Sequence, residues 1–171
     1  MVKFGMNLFL WTADPADEQY LSLYERLAAM GFDGIELPVF DAVPEHFAKL
    51  GERLDAMGLE RTAVSVRGAE DNPVAADPAV RRRALSNSKL VVDCCEAGGM
   101  KLLGGPLYAA LGEFSGAAPS DEEWARSVET LRDVADYAAR VDVELSFEFL
   151  NRFEIYLLNC AADTTRFVRD V

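Results

Sequence analysis

Residues 143–154, VELSFEFLNRFE, join a short apolar run to a dense polar cluster. Val143 to Phe149 has the length and the aromatic, β-branched content of a buried strand. Glu148 interrupts it. A carboxylate inside an apolar strand is costly unless it is paired, hydrogen-bonded or bound to a metal ion. Asn151, Arg152 and Glu154 follow closely, and active sites of parallel α/β proteins gather at the carboxyl ends of strands. On the residues alone two readings of Glu148 stand open, a structural ion pair with Arg152 and a site carboxylate.

The same cycle of strand and helix extends backwards along the whole chain. Val2 to Leu10 reads as a first strand, and Asp14-Pro15 supplies an N-cap and a first-turn proline for the helix carrying Leu21, Tyr24, Leu27 and Ala28. Gly31 stops that helix, and Gly34 to Phe40 is the second strand. A helix over Val43 to Met57 ends at Gly58, and Glu60 to Val66 is the third strand. Asp77-Pro78 opens a helix that ends near Gly98-Gly99. Met100 to Leu103 is a short fourth strand closed by Gly104-Gly105. Ser120 and Glu123 form a capping box ahead of Val128, Leu131, Val134 and Ala138. A last helix starts near Ala161 and is still running at Val171.

The helix exits resemble one another: AAMG at 28–31, DAMG at 55–58 and EAGG at 96–99. Each leads straight into a strand, so the chain reads as five parallel βα units. Two architectures use such units, the open doubly wound sheet and the (β/α)₈ barrel. No G-x-G-x-x-G follows the first strand and no P-loop sequence occurs, which removes the nucleotide-binding open sheet. A full barrel needs about 250 residues. Five units leave two readings, an open sheet or the first five βα units of a parallel α/β barrel of TIM type; the fifth strand end favours the barrel, with residues 1–171 as one domain.

Composition bounds the function. The 171 residues carry 17 Lys and Arg against 29 Asp and Glu, a net charge of −12. That charge repels phosphate backbones, so no nucleic-acid partner is expected. There is no apolar run of membrane-spanning length and no basic amphipathic segment, so no membrane association is expected. The N-terminus lacks the order of a secretory signal, and three cysteines, two of them adjacent, do not make a disulfide framework. A cytoplasmic protein is expected. Cys94-Cys95 reads as buried packing, and Arg81-Arg82-Arg83 as a solvated face.

The strand ends hold the candidate chemistry. The first offers Asn7, Phe9 and Trp11, the second Glu36, the fourth Gly104, Gly105 and Tyr108, and the fifth the cluster already quoted. Glu148 with Glu154 suits metal binding combined with acid–base work. Arg152 is read as orienting its neighbours, and Asn151 as holding backbone or substrate hydroxyls.

EFLNRFE, residues 148–154, resembles the E-[VF]-[VL]-N-R-F-E signature of ketose 3-epimerases of the D-tagatose and D-psicose (allulose) type. Leu158-Asn159 and Ala161-Ala162 continue the likeness. So do Gly5, Trp11, Gly31-Phe32-Asp33, Ile35-Glu36 and Gly104-Gly105, and the resemblance spans essentially the whole chain. It implies a xylose-isomerase-like TIM barrel that epimerises a small sugar at C3 through an enediolate. By the same resemblance Glu148 ligates a divalent metal (Mn, Mg or Co) and is one of two catalytic carboxylates. Glu154 binds the substrate near C1–C2, with Asn7, Trp11, Gly105 and Tyr108 as further substrate-binding positions. The remaining ligands, an Asp, a His and a Glu, belong to strands six to eight of the family. His46, the one histidine, falls on the second helix and reads as surface. Asn7 and Leu8 stand where the family usually has tyrosine or phenylalanine, and Leu111 near a usual tryptophan. Inosose dehydratase, hydroxypyruvate isomerase and sugar-phosphate epimerase activities share the barrel and remain alternatives. So does a non-catalytic barrel fragment. Five units leave strands one and five without outer neighbours, so Val2, Phe4, Val143 and Leu145 are expected to be uncovered. The 171-residue chain alone is expected to be inactive, and to associate through its edges, be only marginally stable or need the missing segment in trans; a homo-oligomer is expected.

Overall fold

A computed structural model describes residues 2–171. Five strands, β1 (Gly5–Asn7), β2 (Gly34–Pro38), β3 (Glu60–Val64), β4 (Leu102–Gly105) and β5 (Glu144–Phe147), form one sheet in the order β1-β2-β3-β4-β5. Every neighbouring pair is parallel. Helices α1 (Leu21–Ala29), α2 (Pro44–Met57), α3 (Pro78–Gly98) and α4 (Asp121–Ala139) connect the strands, and α5 (Ala161–Asp170) follows β5. Sequential order with helical crossovers is the start of a barrel wall rather than a doubly wound sheet, whose strand order reverses.

Local sequence accounts for most element ends. Asp77 accepts a hydrogen bond from Ala79 N–H at 2.8 Å and Pro78 takes the first turn of α3. Ser120 and Glu123 satisfy each other's main-chain N–H groups at the start of α4. Gly58 and Gly99 close α2 and α3 in the left-handed conformation. The expected cap of α1 is displaced. Asp14 instead turns back on Ala16 N–H, and Asp17 caps a 3₁₀ turn (Glu18–Tyr20) that runs into α1. A short acidic side chain bonds its own backbone two residues on as readily as it caps a helix. The fourth strand lies two residues later than Met100–Leu103, because Met100 N–H is spent on Cys95 O, 2.8 Å away, in the α3 terminus. Gly104 and Gly105 therefore belong to the strand.

The core lies between the sheet's outer face and the helices. Ile35, Leu37, Ala63 and Leu103 meet Phe47, Leu50, Leu54, Val91, Val92, Leu131 and Val134 there, all buried. Cys94 and Cys95 are buried in the same layer, and burial pushes both thiols up to about 12. Val143 and Leu145 correct the sequence expectation. Val143 is 4 % exposed and Leu145 is packed against the core, since strand alternation turns them toward the helices. Val2 and Phe4, beside β1, are uncovered at 75 % and 65 % exposure. Among the described residues no strand pairs the outer sides of β1 and β5. The isolated 171-residue polypeptide is expected to associate through these edges. Sedimentation velocity over a wide concentration range checks this, and a monomer at every concentration would show the edges to be protected. No helix among the described residues is long and apolar enough to cross a membrane.

Candidate active site

The carboxyl ends of all five strands open into one cavity of about 390 Å³. Strand register arranges its lining in layers. Asn7 of β1 lies beside Glu36 of β2, and Glu36 beside Thr62 of β3. Asn7, Glu36 and, on β4, Leu102 line the floor. Two residues nearer the carboxyl ends, Val64, Gly104 and Ser146 form the wall. Glu148, Leu150 and Glu154 line the β5 side of the mouth. Phe9 and Phe40 line the β1–β2 side and pack edge to face with ring centroids 5.1 Å apart.

Glu148 is held through its main chain. Its N–H donates to Gly105 O at 3.1 Å, which carries the β4–β5 ladder past the last residue of β5. Its carbonyl accepts from the Tyr108 hydroxyl at 3.0 Å, and Leu158 O lies 3.2 Å from the same hydroxyl. Tyr108 itself is fully buried, against Phe167, and does not line the cavity. It supports the β5 end from behind, which corrects its expected place against substrate. Burial and the Glu148 carboxylate both raise its pKa, so the phenol keeps its proton.

Glu154 is steered by Asn151, whose side-chain amide donates to its carboxylate. The Asn151 carbonyl oxygen in turn accepts from Phe153 N–H at 2.9 Å. Gly112 N–H donates to Glu154 O at 2.8 Å, tying this loop to the one after β4. Asn159 supports the loop from below through Leu150 O and Ile155 O, at 2.9 and 2.8 Å. Arg152 is exposed and forms no ion pair among the described residues, so the structural pairing with Glu148 is not made. Gly105 and Asn7 do line the cavity; Trp11, Asn151 and Arg152 do not. His46 is exposed on α2, away from the cavity.

Glu36 is the residue to which the sequence reading gave no role. It is half-buried, and its side chain accepts from Asn7 Nδ2 at 2.7 Å. Its signal was the one that marked Glu148: a carboxylate inside an apolar strand. Burial raises its pKa first and the Glu148 carboxylate second, against an opposing effect of the Thr62 side chain. The folded chain therefore keeps this proton to higher pH than the unfolded chain does. The resulting stabilisation is full below the unfolded carboxyl pKa and is lost as pH rises through the folded one. Glu36→Gln is expected to flatten this part of the stability–pH profile in urea titrations. An unchanged profile would exclude Glu36 as its source.

The donors suit a hard divalent cation in kind, since they are carboxylate oxygens. In number they are incomplete: among the described residues no three His, Cys, Asp or Glu side chains are placed to share an ion.

Residues 24–171 match the profile of the family described as "Xylose isomerase-like TIM barrel". The chain is 31% identical to L-ribulose 3-epimerase of Mesorhizobium japonicum, over 99% of this chain and 57% of that protein. It is 29% identical to D-psicose 3-epimerase of Ruminiclostridium cellulolyticum, over 99% and 59%. The crystal structure of D-allulose 3-epimerase from Methylomonas sp. superposes with a TM-score of 0.90 at 26% identity, covering 99% of this chain and 59% of that one. The chain thus spans somewhat under three fifths of the length of these relatives. With five sequential parallel βα units and carboxylates gathered at the strand ends, the chain belongs to the xylose isomerase-like TIM barrel family.

Proposed function

We propose that residues 1–171 are one (β/α) domain, the N-terminal part of a barrel that epimerises a ketose at C3. The observation that carries the reading is the convergence of Glu148 and Glu154 on one cavity at the strand ends. Support comes from similarity to L-ribulose and D-psicose 3-epimerases along almost the whole chain. In this reading Glu148 takes the C3 proton, and the C3–H electron pair moves toward the C2 carbonyl to give the enediolate. Return of a proton on the opposite face of C3 inverts the centre. In this reading the opposing base is not among residues 1–171. Glu154, fixed by Asn151, accepts hydroxyl protons near C1–C2 and orients the sugar. A divalent cation such as Mn²⁺, Mg²⁺ or Co²⁺, when bound, supplies Lewis-acid polarisation of the ketose carbonyl. A cytoplasmic protein with a small-sugar substrate and a homo-oligomeric assembly completes the reading.

The alternative on the same barrel is an aldose–ketose isomerisation of the hydroxypyruvate isomerase kind. Nuclear magnetic resonance of a ketose incubated in D₂O with the complete protein separates the two. Deuterium at C3 is the expected result. Deuterium at C1 would indicate aldose–ketose isomerisation instead, and no incorporation would overturn the epimerase reading.

A further inference from the structure

We infer that Asn7 and Glu36 form a hydroxyl-recognising pair on the cavity floor, which selects a ketose by the hydroxyl groups it carries beyond the reacting C2–C3 carbons. The inference rests on the ketose reading above and assigns a second recognition point within the same cavity.

The two side chains are neighbours across the β1–β2 pairing, and both line the cavity. Asn7 Oδ1 accepts from Phe9 N–H at 2.8 Å, which sets the orientation of the amide. Its Nδ2 then donates one hydrogen to Glu36 Oε1 at 2.7 Å. A side-chain amide has two N–H donors and a carboxylate has two acceptor oxygens. One donor of Asn7 and the acceptor sites of Glu36 not taken by Asn7 and the Thr62 side chain are thus left side by side. A hydroxyl group, itself both donor and acceptor, complements that arrangement.

The cost of the pair also points to a ligand. Glu36 is a half-buried carboxylate with no Lys or Arg partner among the described residues. Burying such a group is unfavourable unless hydrogen bonds compensate; Asn7 and Thr62 supply part of that compensation, and a sugar hydroxyl would add to it. A purely structural role would be met more cheaply by an apolar side chain such as Leu102 on the same floor. Among the described residues no Lys, Arg or His lines the cavity, whereas Glu36, Glu148 and Glu154 do, so this wall suits a neutral polyhydroxy tail better than an anionic one. Glu148 and Glu154 lie at the mouth and Glu36 on the floor across the sheet. A sugar whose C2–C3 carbons sit at the mouth therefore sends its remaining carbons toward Glu36.

The test compares Glu36→Leu, Glu36→Gln and Asn7→Ala in the complete protein, using a ketohexose and the shorter ketose erythrulose. For the ketohexose, Glu36→Leu is expected to raise KM by about 10- to 100-fold with kcat nearly kept, the usual effect of losing a hydrogen bond to a charged group. For erythrulose, which lacks the outer carbons, kcat/KM should stay within about threefold on the same scale. Equal losses on both sugars would place Glu36 at the reacting carbons and overturn the inference. An unchanged ketohexose KM would do the same. Glu36→Gln and Asn7→Ala, closer in shape, carry the comparison if Glu36→Leu fails to fold. Should the unsubstituted protein epimerise no ketose, the proposed activity falls by itself, and calorimetric binding of the ketohexose decides the pair. Weaker binding by Glu36→Gln sustains the inference; equal binding, or none to the unsubstituted protein, overturns it.

Discussion

Glu148→Gln in the complete protein is expected to lower ketose turnover by about 10²- to 10⁴-fold, the range typical for loss of a positioned acid–base group. The fold should survive, because the main chain at this position is held from both sides. Glu148 N–H bonds to Gly105 O, and Glu148 O accepts from buried Tyr108. Neither bond involves the carboxylate. Glutamine keeps the size of the side chain and removes the basic oxygen and the charge that would attract a divalent cation. The kcat for C3 epimerisation, together with a melting curve, checks both halves. Full turnover in the variant would remove Glu148 from the chemistry.

Gly105→Ala is expected to be among the most damaging single-methyl additions to the chain. Gly105 has φ of 119°, a conformation that L side chains rarely adopt. A Cβ there would lie 2.2 Å from Ser65 O and 3.3 Å from Val64 Cγ2. The near atom is backbone of the adjacent strand, so relief requires separating β3 from β4. Backbone strain and overpacking together cost about 2–6 kcal/mol. At roughly 2–4 °C per kcal/mol for a domain of this size, the melting temperature should fall by about 5–20 °C. Gly112→Ala is the control: φ is 77°, with nothing within 4 Å of the added methyl. Its cost should be the conformational part alone, about 1–2 kcal/mol. Equal melting temperatures for the two variants would show that the contact at Ser65 relaxes freely. Because Gly105 O also receives Glu148 N–H, the glycine joins the close strand approach to the placement of the site carboxylate.

Different parts of the site were legible to different degrees. Glu148 and Glu154 were readable because their loop is a contiguous heptapeptide, and Asn151 orients Glu154 from three residues away. The Glu36–Asn7 bond joins residues 29 positions apart, and no local pattern announces it. Tyr108 illustrates the opposite error. An aromatic residue just past a strand end suits a sugar pocket, yet its ring turns back beneath β5 because Phe167 of α5 and two main-chain carbonyls await it there. Trp11 stands outside the cavity for a related reason: a 3₁₀ turn over Leu8–Leu10 carries the chain away from the direction of β1.

By itself the sequence determined the succession of five βα units and the chemical character of the fifth strand end. Those features rest on short-range causes: apolar periodicity, the Ser120–Glu123 box, and glycines at helix ends such as Gly58 and Gly99. Only the tertiary structure decided which face of each strand met the helices, so that Val143 was buried while Glu36, Asn7 and Glu148 shared one cavity. Alternation along a strand assigns residues to two faces without naming the inner one. That choice follows from register and from the helices packed on one side, which are contacts between segments far apart in the chain.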